Sequence, residues 1–332
     1  MRIGLIGAGL QGGRRAPVFA QFPDAELVVV SAAHLESAQA LADTVGCEAV
    51  VGWEPVVDRD DLDIILVCTP THLHAPITIA ALKKGVHVLC EKPLARTVNE
   101  AQGMLAAAEA SGAILKCGFN HRHHPGVQQA RKWFDAGEIG EPMFVRCRYG
   151  ICGRSGYAEE WRANPEQSGG GHLMEQGIHG IDLARWFLGD FVQATGFISN
   201  AYWDMPVEDN AFALFRTAGG QVASIHASLT QWKNLFSFEL YGKDGYVSVE
   251  GLGGGYGNER ATLGKRDFHN PFREEVIEYR GPDRSWHDEW QEFMSAIKEK
   301  RQPIGNGQDG LETLRLVYAI YDGNQKGVVT EL

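Results

Sequence analysis

The run Ser168–Gly189, SGGGHLMEQGIHGIDLARWFLG, gathers four side chains able to move protons: His172, Glu175, His179 and Asp182. Read as a helix at about 100° per residue, Leu173, Met174, Ile178, Ile181, Ala184 and Leu188 fall on one side and those four on the other. His179 then lies one turn after Glu175, so both can reach one hydroxyl group or each other. Histidine titrates near neutrality, which suits His179 to take a proton from an alcohol or return it to a carbonyl, with His172 next in line. An ordinary amphipathic helix with a hydrated polar face has the same pattern. Gly177 and Gly180 each cost a helix about 1 kcal/mol against alanine, so close approach of a neighbour or ligand is expected there.

A second chemical group stands in the first third of the chain. Glu91-Lys92-Pro93 follows the apolar run Val86–Cys90, and the fixed ring of Pro93 holds Lys92 at a strand end. An ammonium there can stabilise a developing alkoxide. His121-Arg122-His123-His124 invites a metal reading, but no second cluster has ligand spacing, and no metal is expected.

These groups need a scaffold, and the N-terminal sequence supplies its pattern. Ile3–Ile6 runs into Gly7-Ala8-Gly9-Leu10-Gln11-Gly12, a GxGxxG turn opening a helix. In a dinucleotide fold Gly7 makes the tight turn, Gly9 admits the pyrophosphate and Gly12 lets helix and strand pack, with the helix N-terminus facing the phosphates. Pro17 predicts a kinked or short helix. Strands at Glu26–Ser31, Asp63–Cys68, Val86–Cys90 and Ile114–Phe119 alternate with helices at His34–Val45, Ala75–Lys84 and Val98–Ser111, the signature of a doubly wound parallel sheet. Ligands bind at the carboxyl ends of such strands. Besides Gly7–Gly12, the cofactor candidates there are Ala32, His34, Thr69, Pro70, His72, His74, Glu91, Lys92 and Asn120. His72 and His74 are equally readable as capping or exposed loop residues. The acidic residue that usually ends the second strand is missing from Val30–His34, which leaves NAD and NADP both open.

Totals set the limits. A chain of 332 residues implies two domains, and 44% hydrophobic with 22% charged residues is a soluble balance. The net charge of −11 without a basic run argues against nucleic acid and anionic membranes as partners. The six cysteines form no CxxC pair and read as reduced thiols, and a chain that begins directly in a strand is expected in the cytoplasm.

With these motifs in order, the chain resembles the Gfo/Idh/MocA family of oxidoreductases, named for glucose-fructose oxidoreductase, inositol dehydrogenase and rhizopine catabolism. The resemblance rests on Gly7–Gly12, Thr69–His74, Glu91-Lys92-Pro93, Asn120–Pro125 and Gly169–Asp182, and spans nearly the whole chain. It implies that Lys92, Glu175 and His179 line the active site. Glu175 stands where aspartate is usual, and the acid near Ala32 found in many relatives is absent. It further implies a homodimer or homotetramer.

The expected fold is α/β: a Rossmann domain over residues 1–120, then an α+β domain for substrate binding and oligomerisation over 121–332 with a large, mostly antiparallel open sheet. Its strands are expected at Met143–Tyr149, Phe191–Ser199, Asn210–Arg216, Val222–Leu229, Leu235–Tyr241 and Tyr246–Glu250, with hairpins at Ala218-Gly219-Gly220 and Lys243-Asp244-Gly245. Helices are expected at Gly126–Ala136, Trp286–Lys300 and Asp309–Asp322. Tyr202, Trp203, Trp232, Phe236, Phe238 and Tyr241 are candidates for a subunit contact, or for ordinary core. The glycine-containing stretch between Tyr149 and Ser168 reads as a substrate lid in which Arg154 and Arg162 supply positive charge. Substrate contacts are expected from Arg122, Arg154, Tyr157, Trp161, Arg162, His172 and Glu175. The function implied is an NAD(P)-dependent dehydrogenase or reductase for a secondary alcohol of a sugar, cyclitol or nucleotide-linked sugar. An NAD-using glycoside hydrolase of the same fold, or a non-catalytic sugar or dinucleotide sensor, are the alternatives.

Overall fold

The computed structural model describes residues 1–270 and 273–332. It divides into two compact units: Met1–Phe119 with Trp286–Leu311, and Asn120–Ser285 with Glu312–Leu332. A single cut after residue 120 therefore misses the late segment that folds with the first unit. The cause is hydrophobic: Trp290, Phe293 and Met294 share one buried core with Ile3, Leu5 and Phe19, and the Trp290 and Phe19 rings meet edge-on at 4.6 Å.

The first unit contains strands β1 (Arg2–Ile6), β2 (Glu26–Ala32), β3 (Glu48–Val51), β4 (Ile64–Val67), β5 (His87–Cys90) and β6 (Leu115–Cys117). They form a parallel sheet in the order β3-β2-β1-β4-β5-β6. β4 is buried at every residue, as expected for a strand covered on both faces. The connecting helices are α1 (Leu10–Phe19), α2 (Leu35–Val45), the short turn α3 (Glu54–Val57), α4 (His74–Lys83) and α5 (Val98–Ser111). Helix α1 carries Pro17 inside and is short, ten residues. β3 was not expected: four residues beginning with glutamate, none of them buried, give too weak a pattern. Strand order reverses beside β1, between β2 and β4, so the turns after β1 and β4 flank the switch point where such sheets bind ligands.

The second unit is built on nine strands. They are β7 (Pro142–Gly150), β8 (Phe191–Ser199), β9 (Asn210–Thr217), β10 (Val222–Ser228), β11 (Leu235–Gly242), β12 (Gly245–Glu250), β13 (Glu259–Lys265), β14 (Arg273–Tyr279) and β15 (Thr330–Glu331), in the order β14-β13-β12-β11-β7-β10-β9-β8-β15. Every neighbouring pair is antiparallel except β7 and β10. Both expected hairpins form, with Arg216 opposite Val222 and Tyr241 opposite Tyr246. β13 and β14 were missed because charged residues interrupt their patterns, REEVIEY above all.

The helices here are α6 (Pro125–Asp135), the single turn α7 (Pro165–Ser168) and α8 (Ile178–Leu188). The two late helices, α9 (Ser285–Glu299) and α10 (Gly307–Lys326), contain the points at which the chain passes between units. α8 lies on the sheet. A Cβ on Gly180 would sit 2.9 Å from Cys147 Sγ, and one on Gly177 2.9 Å from the Ala227 Cβ, so both glycines serve close helix-to-sheet packing. Of the aromatics considered for a subunit contact, Phe236 and Phe238 are core, while Tyr202 and Trp232 are exposed. Exposed apolar residues of the sheet include Phe197 on β8 and Phe212 and Leu214 on β9, the last two alternating with buried neighbours. No helix among the described residues is long and apolar enough to cross a membrane.

Candidate active site

In the first unit the glycine turn has the shape its spacing predicts. Gly7 has φ +107°, and a Cβ there would lie 2.6 Å from the Cys68 carbonyl; one on Gly12 would lie 2.1 Å from Gly7 O. Around Gly9 a Cβ meets nothing within 4 Å. Gly9 caps α1 without a side chain, so the first N–H groups of the helix, at Leu10 and Gln11, point out unfilled. The Gln11 Oε1 is buried without a hydrogen-bond partner. Open space over Gly9 beside unfilled donors at a helix N-terminus fits a dinucleotide pyrophosphate.

The surrounding residues divide between those left open and those already committed. Ala32 ends β2 and exposed His34 caps α2, with no acid at either position. After β4, Thr69 Oγ1 and His72 Nδ1 are buried atoms without hydrogen-bond partners, and Pro70 precedes a short 3₁₀ turn, Thr71–Leu73. Burial, with help from Arg96, lowers the His72 pKa. His74 is different. Its ring is buried, with Nδ1 2.8 Å from Pro93 O and Nε2 2.9 Å from Thr69 O, so it ties two loops together from inside. Burial lowers its pKa towards the neutral ring, which can donate to only one of those carbonyls.

Glu91, expected with the cofactor residues, is also committed internally. Its Oε1 accepts from Arg15 Nε at 2.6 Å, Arg15 Nη1 donates to Glu289 at 2.7 Å, and Lys116 Nζ lies 3.5 Å from Glu289. All four are buried, two cations with two anions. The network ties α1, which leaves the glycine turn, to the loop carrying Lys92. Lys92 itself is half-buried, and the Lys92–Pro93 peptide is cis. Sequence reading missed Arg15 and Glu289, because nothing in a helical pattern reveals a partner so distant in sequence.

In the second unit the proton-moving run is helical but not uniform. Leu173–Gly177 is a π turn, and α8 continues from Ile178. The side that an ordinary amphipathic helix would hydrate is interior: His172, His179 and Asp182 are all buried. Asp182 is held by Arg122, Oδ2 from Nε at 2.8 Å and Oδ1 from Nη2 at 2.6 Å, beneath the Trp186 ring. Arg122, expected at substrate, is thus committed to a buried ion pair. Glu208 clasps the glycines before the helix, accepting from Gly171 N at 2.9 Å, Leu173 N at 3.0 Å and the Tyr321 hydroxyl at 2.8 Å, while its own carbonyl accepts from His172 N. Burial raises the Glu208 pKa.

His179 lies flat on His121, ring centroids 3.7 Å apart and planes inclined by 17°. His121 Nε2 is 3.0 Å from the Tyr149 hydroxyl and Nδ1 is 3.1 Å from Asn120 Oδ1; Asn120, expected with the cofactor residues, also donates to Ser285 at 2.8 Å. The Tyr149 hydroxyl is followed at 3.3 Å by that of Tyr256, which is 3.5 Å from Gln176. Tyr149 and Tyr256 were missed. Tyr149 had a signal, since it alternates with Cys147 and Val145 on the buried side of β7.

The stretch after β7 has more structure than a bare loop. It contains 3₁₀ turns at Tyr157–Glu159 and Trp161–Ala163 and then α7, over a small core of Tyr157, Ala163, Met205, Val207 and Leu229. Glu175 fastens it: the Tyr157 hydroxyl donates to Oε2 and Arg162 Nε to Oε1 at 2.7 Å. Arg162 also reaches Glu160 at 3.0 Å while stacking over Trp161, and Arg154 grips Glu160 with two bonds, 2.7 and 2.6 Å. Two arginines face two glutamates. The positive charge expected of this stretch is therefore neutralised where it stands.

One unit is a Rossmann fold with a glycine turn shaped for a pyrophosphate and the other carries buried acid–base residues, the parts of an NAD-binding oxidoreductase. Comparison with known proteins agrees. Residues 1–119 match the oxidoreductase family with an NAD-binding Rossmann fold, and 127–248 match the GFO/IDH/MocA C-terminal domain. Inositol 2-dehydrogenase of Rhizobium meliloti is 30% identical over 96% of this chain and 95% of its own. For 1,5-anhydro-D-fructose reductase of Ensifer adhaerens the identity is 27%, over 100% and 98%. A solved levoglucosan dehydrogenase in complex with NADH and L-sorbose superposes with a TM-score of 0.90 at 25% identity, over 100% and 98%. The chain belongs to the Gfo/Idh/MocA oxidoreductase family.

Proposed function

We propose that the protein is an NAD(P)-dependent dehydrogenase or reductase acting on a secondary alcohol, or the matching ketone, of an uncharged sugar or cyclitol. The observation that carries the choice of an uncharged substrate is the set Arg154, Glu160, Arg162 and Glu175, in which both arginines of the stretch after β7 are already paired with carboxylates. Relatives whose names specify inositol, levoglucosan and anhydrofructose support the same class, while two named for a dTDP-linked sugar, 34% and 33% identical, represent the charged alternative.

When bound, the dinucleotide supplies the hydride chemistry through its nicotinamide. The open face of Gly9 and the N-terminus of α1 would hold its pyrophosphate. His179 takes the hydroxyl proton in oxidation and returns it in reduction, and the Lys92 ammonium stabilises alkoxide character. Glu175 fixes Tyr157 and Arg162, so that the stretch after β7 is ordered around the sugar. The reaction belongs in the cytoplasm, which suits six cysteines without a disulfide. A homo-oligomer is supported by exposed Phe197 and Phe212, directly paired across β8 and β9, and light scattering of the purified protein tests it.

The decisive experiment is a panel of free, phosphorylated and nucleotide-linked sugars and cyclitols with each cofactor, following the absorbance of the reduced nicotinamide. Turnover confined to neutral members supports the reading. Preference for charged members overturns the substrate class; glycoside cleavage without net cofactor consumption indicates a hydrolase, and binding without turnover a sensor.

A further inference from the structure

We propose that His121 is a positioning residue for the reaction, holding the His179 ring in one plane by stacking on it. The inference rests on the reading that His179 moves the substrate proton. A histidine side chain on a helix can turn about its last torsion, and turning redirects both nitrogens. The flat ring of His121, 3.7 Å away and inclined by only 17°, blocks that turn.

His121 is itself immobilised at both ends. Asn120 donates its amide hydrogen to Ser285 Oγ at 2.8 Å, so its Oδ1 is the acceptor, and His121 Nδ1–H must donate to it at 3.1 Å. Burial raises the Tyr149 pKa well above the ordinary phenol, so the hydroxyl keeps its proton; it lies 3.0 Å from Nε2 and donates to the Tyr256 hydroxyl at 3.3 Å. Both ring nitrogens are thereby engaged by fixed partners. Phe236 and His124 close on the ring edge-on at 5.9 and 5.4 Å.

The charge of the stacking partner matters for the chemistry. When His179 becomes an imidazolium, a second charged imidazole at 3.7 Å would repel it, whereas a neutral π face attracts it. The other titratable or charged groups around the pair are Tyr149 and Tyr256, His124 with Glu259 and Asp283, Glu175 on the preceding turn, and Asp182 with Arg122 on the following one. Their number makes the geometric variant more informative than the charge alone.

The test compares His121→Ala, His121→Phe, Tyr149→Phe and His179→Ala in the full chain, measuring kcat, KM, the pH profile of kcat and cofactor Kd. His121→Ala is expected to lower kcat about tenfold or more with cofactor Kd unchanged, and His121→Phe, which keeps a flat neutral ring, to recover most of it. Tyr149→Phe is expected to move the pH profile of kcat, because it removes the hydroxyl that engages Nε2 of the ring stacked on His179. Folded His121→Ala with wild-type kcat overturns the proposal, and so does His121→Phe as slow as His121→Ala. If His121→Ala does not fold, an unmoved profile in Tyr149→Phe overturns it. Wild-type turnover in His179→Ala would instead defeat the underlying reading, whereas loss there with none at His121 defeats only this proposal.

Discussion

Arg162 donates its Nε to Glu175 Oε1 at 2.7 Å, and this bond joins the stretch after β7 to the turn that leads into His179. Substituting glutamate for the usual shorter aspartate gives the carboxylate one more methylene with which to reach both Arg162 and Tyr157. Glu175 is here a fastening for the segment after β7.

The two arginines should therefore behave differently. Arg154 is more than half exposed, and its bond to Glu160 is the kind worth little in water. Arg154→Ala is expected to change KM for a neutral sugar by less than about twofold, and Arg162→Ala to raise it about tenfold by loosening Glu175. Steady-state kinetics on the purified variants checks both; a large Arg154 effect would restore an anionic substrate.

The glycine turn separates binding from folding. Gly9→Val adds a side chain where no protein atom lies within 4 Å, so Tm should hold while calorimetry shows cofactor Kd weakened by about 100-fold or more. Gly12→Ala, whose Cβ would lie 2.1 Å from Gly7 O, should lower Tm itself. Equal loss of stability in both would contradict the cradle.

Cofactor choice turns on Ala32, at the end of β2. Ala32→Asp should shift kcat/KM toward NAD by supplying a ribose acceptor and repelling a 2′-phosphate. A ratio of the two cofactors that does not move would place the ribose elsewhere.

Asp209 gives a pH signature. It is buried, and although burial acts to raise its pKa, the N–H groups of Ala201, Trp203 and Tyr202 and the Asn210 amide outweigh it and lower the value. The folded form then binds fewer protons than the unfolded one below the ordinary aspartate pKa of about 3.9. Its stabilisation is full above that value and is lost as pH falls through the folded pKa. Urea unfolding of Asp209→Asn against wild type should show a stability gap at neutral pH that closes progressively below about pH 4. A gap that is constant with pH would contradict it.

Much of the fold was legible because hydrophobic periodicity reports it directly. Val98–Ser111 and Phe191–Ser199 have the expected bounds, since a capping threonine, a terminal glycine or clean alternation mark them. β3 and β14 were not legible, being short or charged. The same limit divides the site. Gly7–Gly12 and Lys92 follow from local spacing, but Glu91, Arg122 and Asn120 have residue types that suit a ligand as well as a buried partner. Their commitment to Arg15, Asp182 and His121 depends on contacts that only folding creates. Regular helical spacing does not reveal the π turn at Leu173–Gly177, nor that both the apolar side and His172, His179 and Asp182 on the polar side are buried.

The central claim is that His179 moves the substrate proton, and kcat of folded His179→Ala on the best neutral substrate from the panel tests it most directly. The account predicts a fall of about 100-fold or more with cofactor Kd essentially unchanged. Turnover near the wild-type rate would contradict it and move the search to His172.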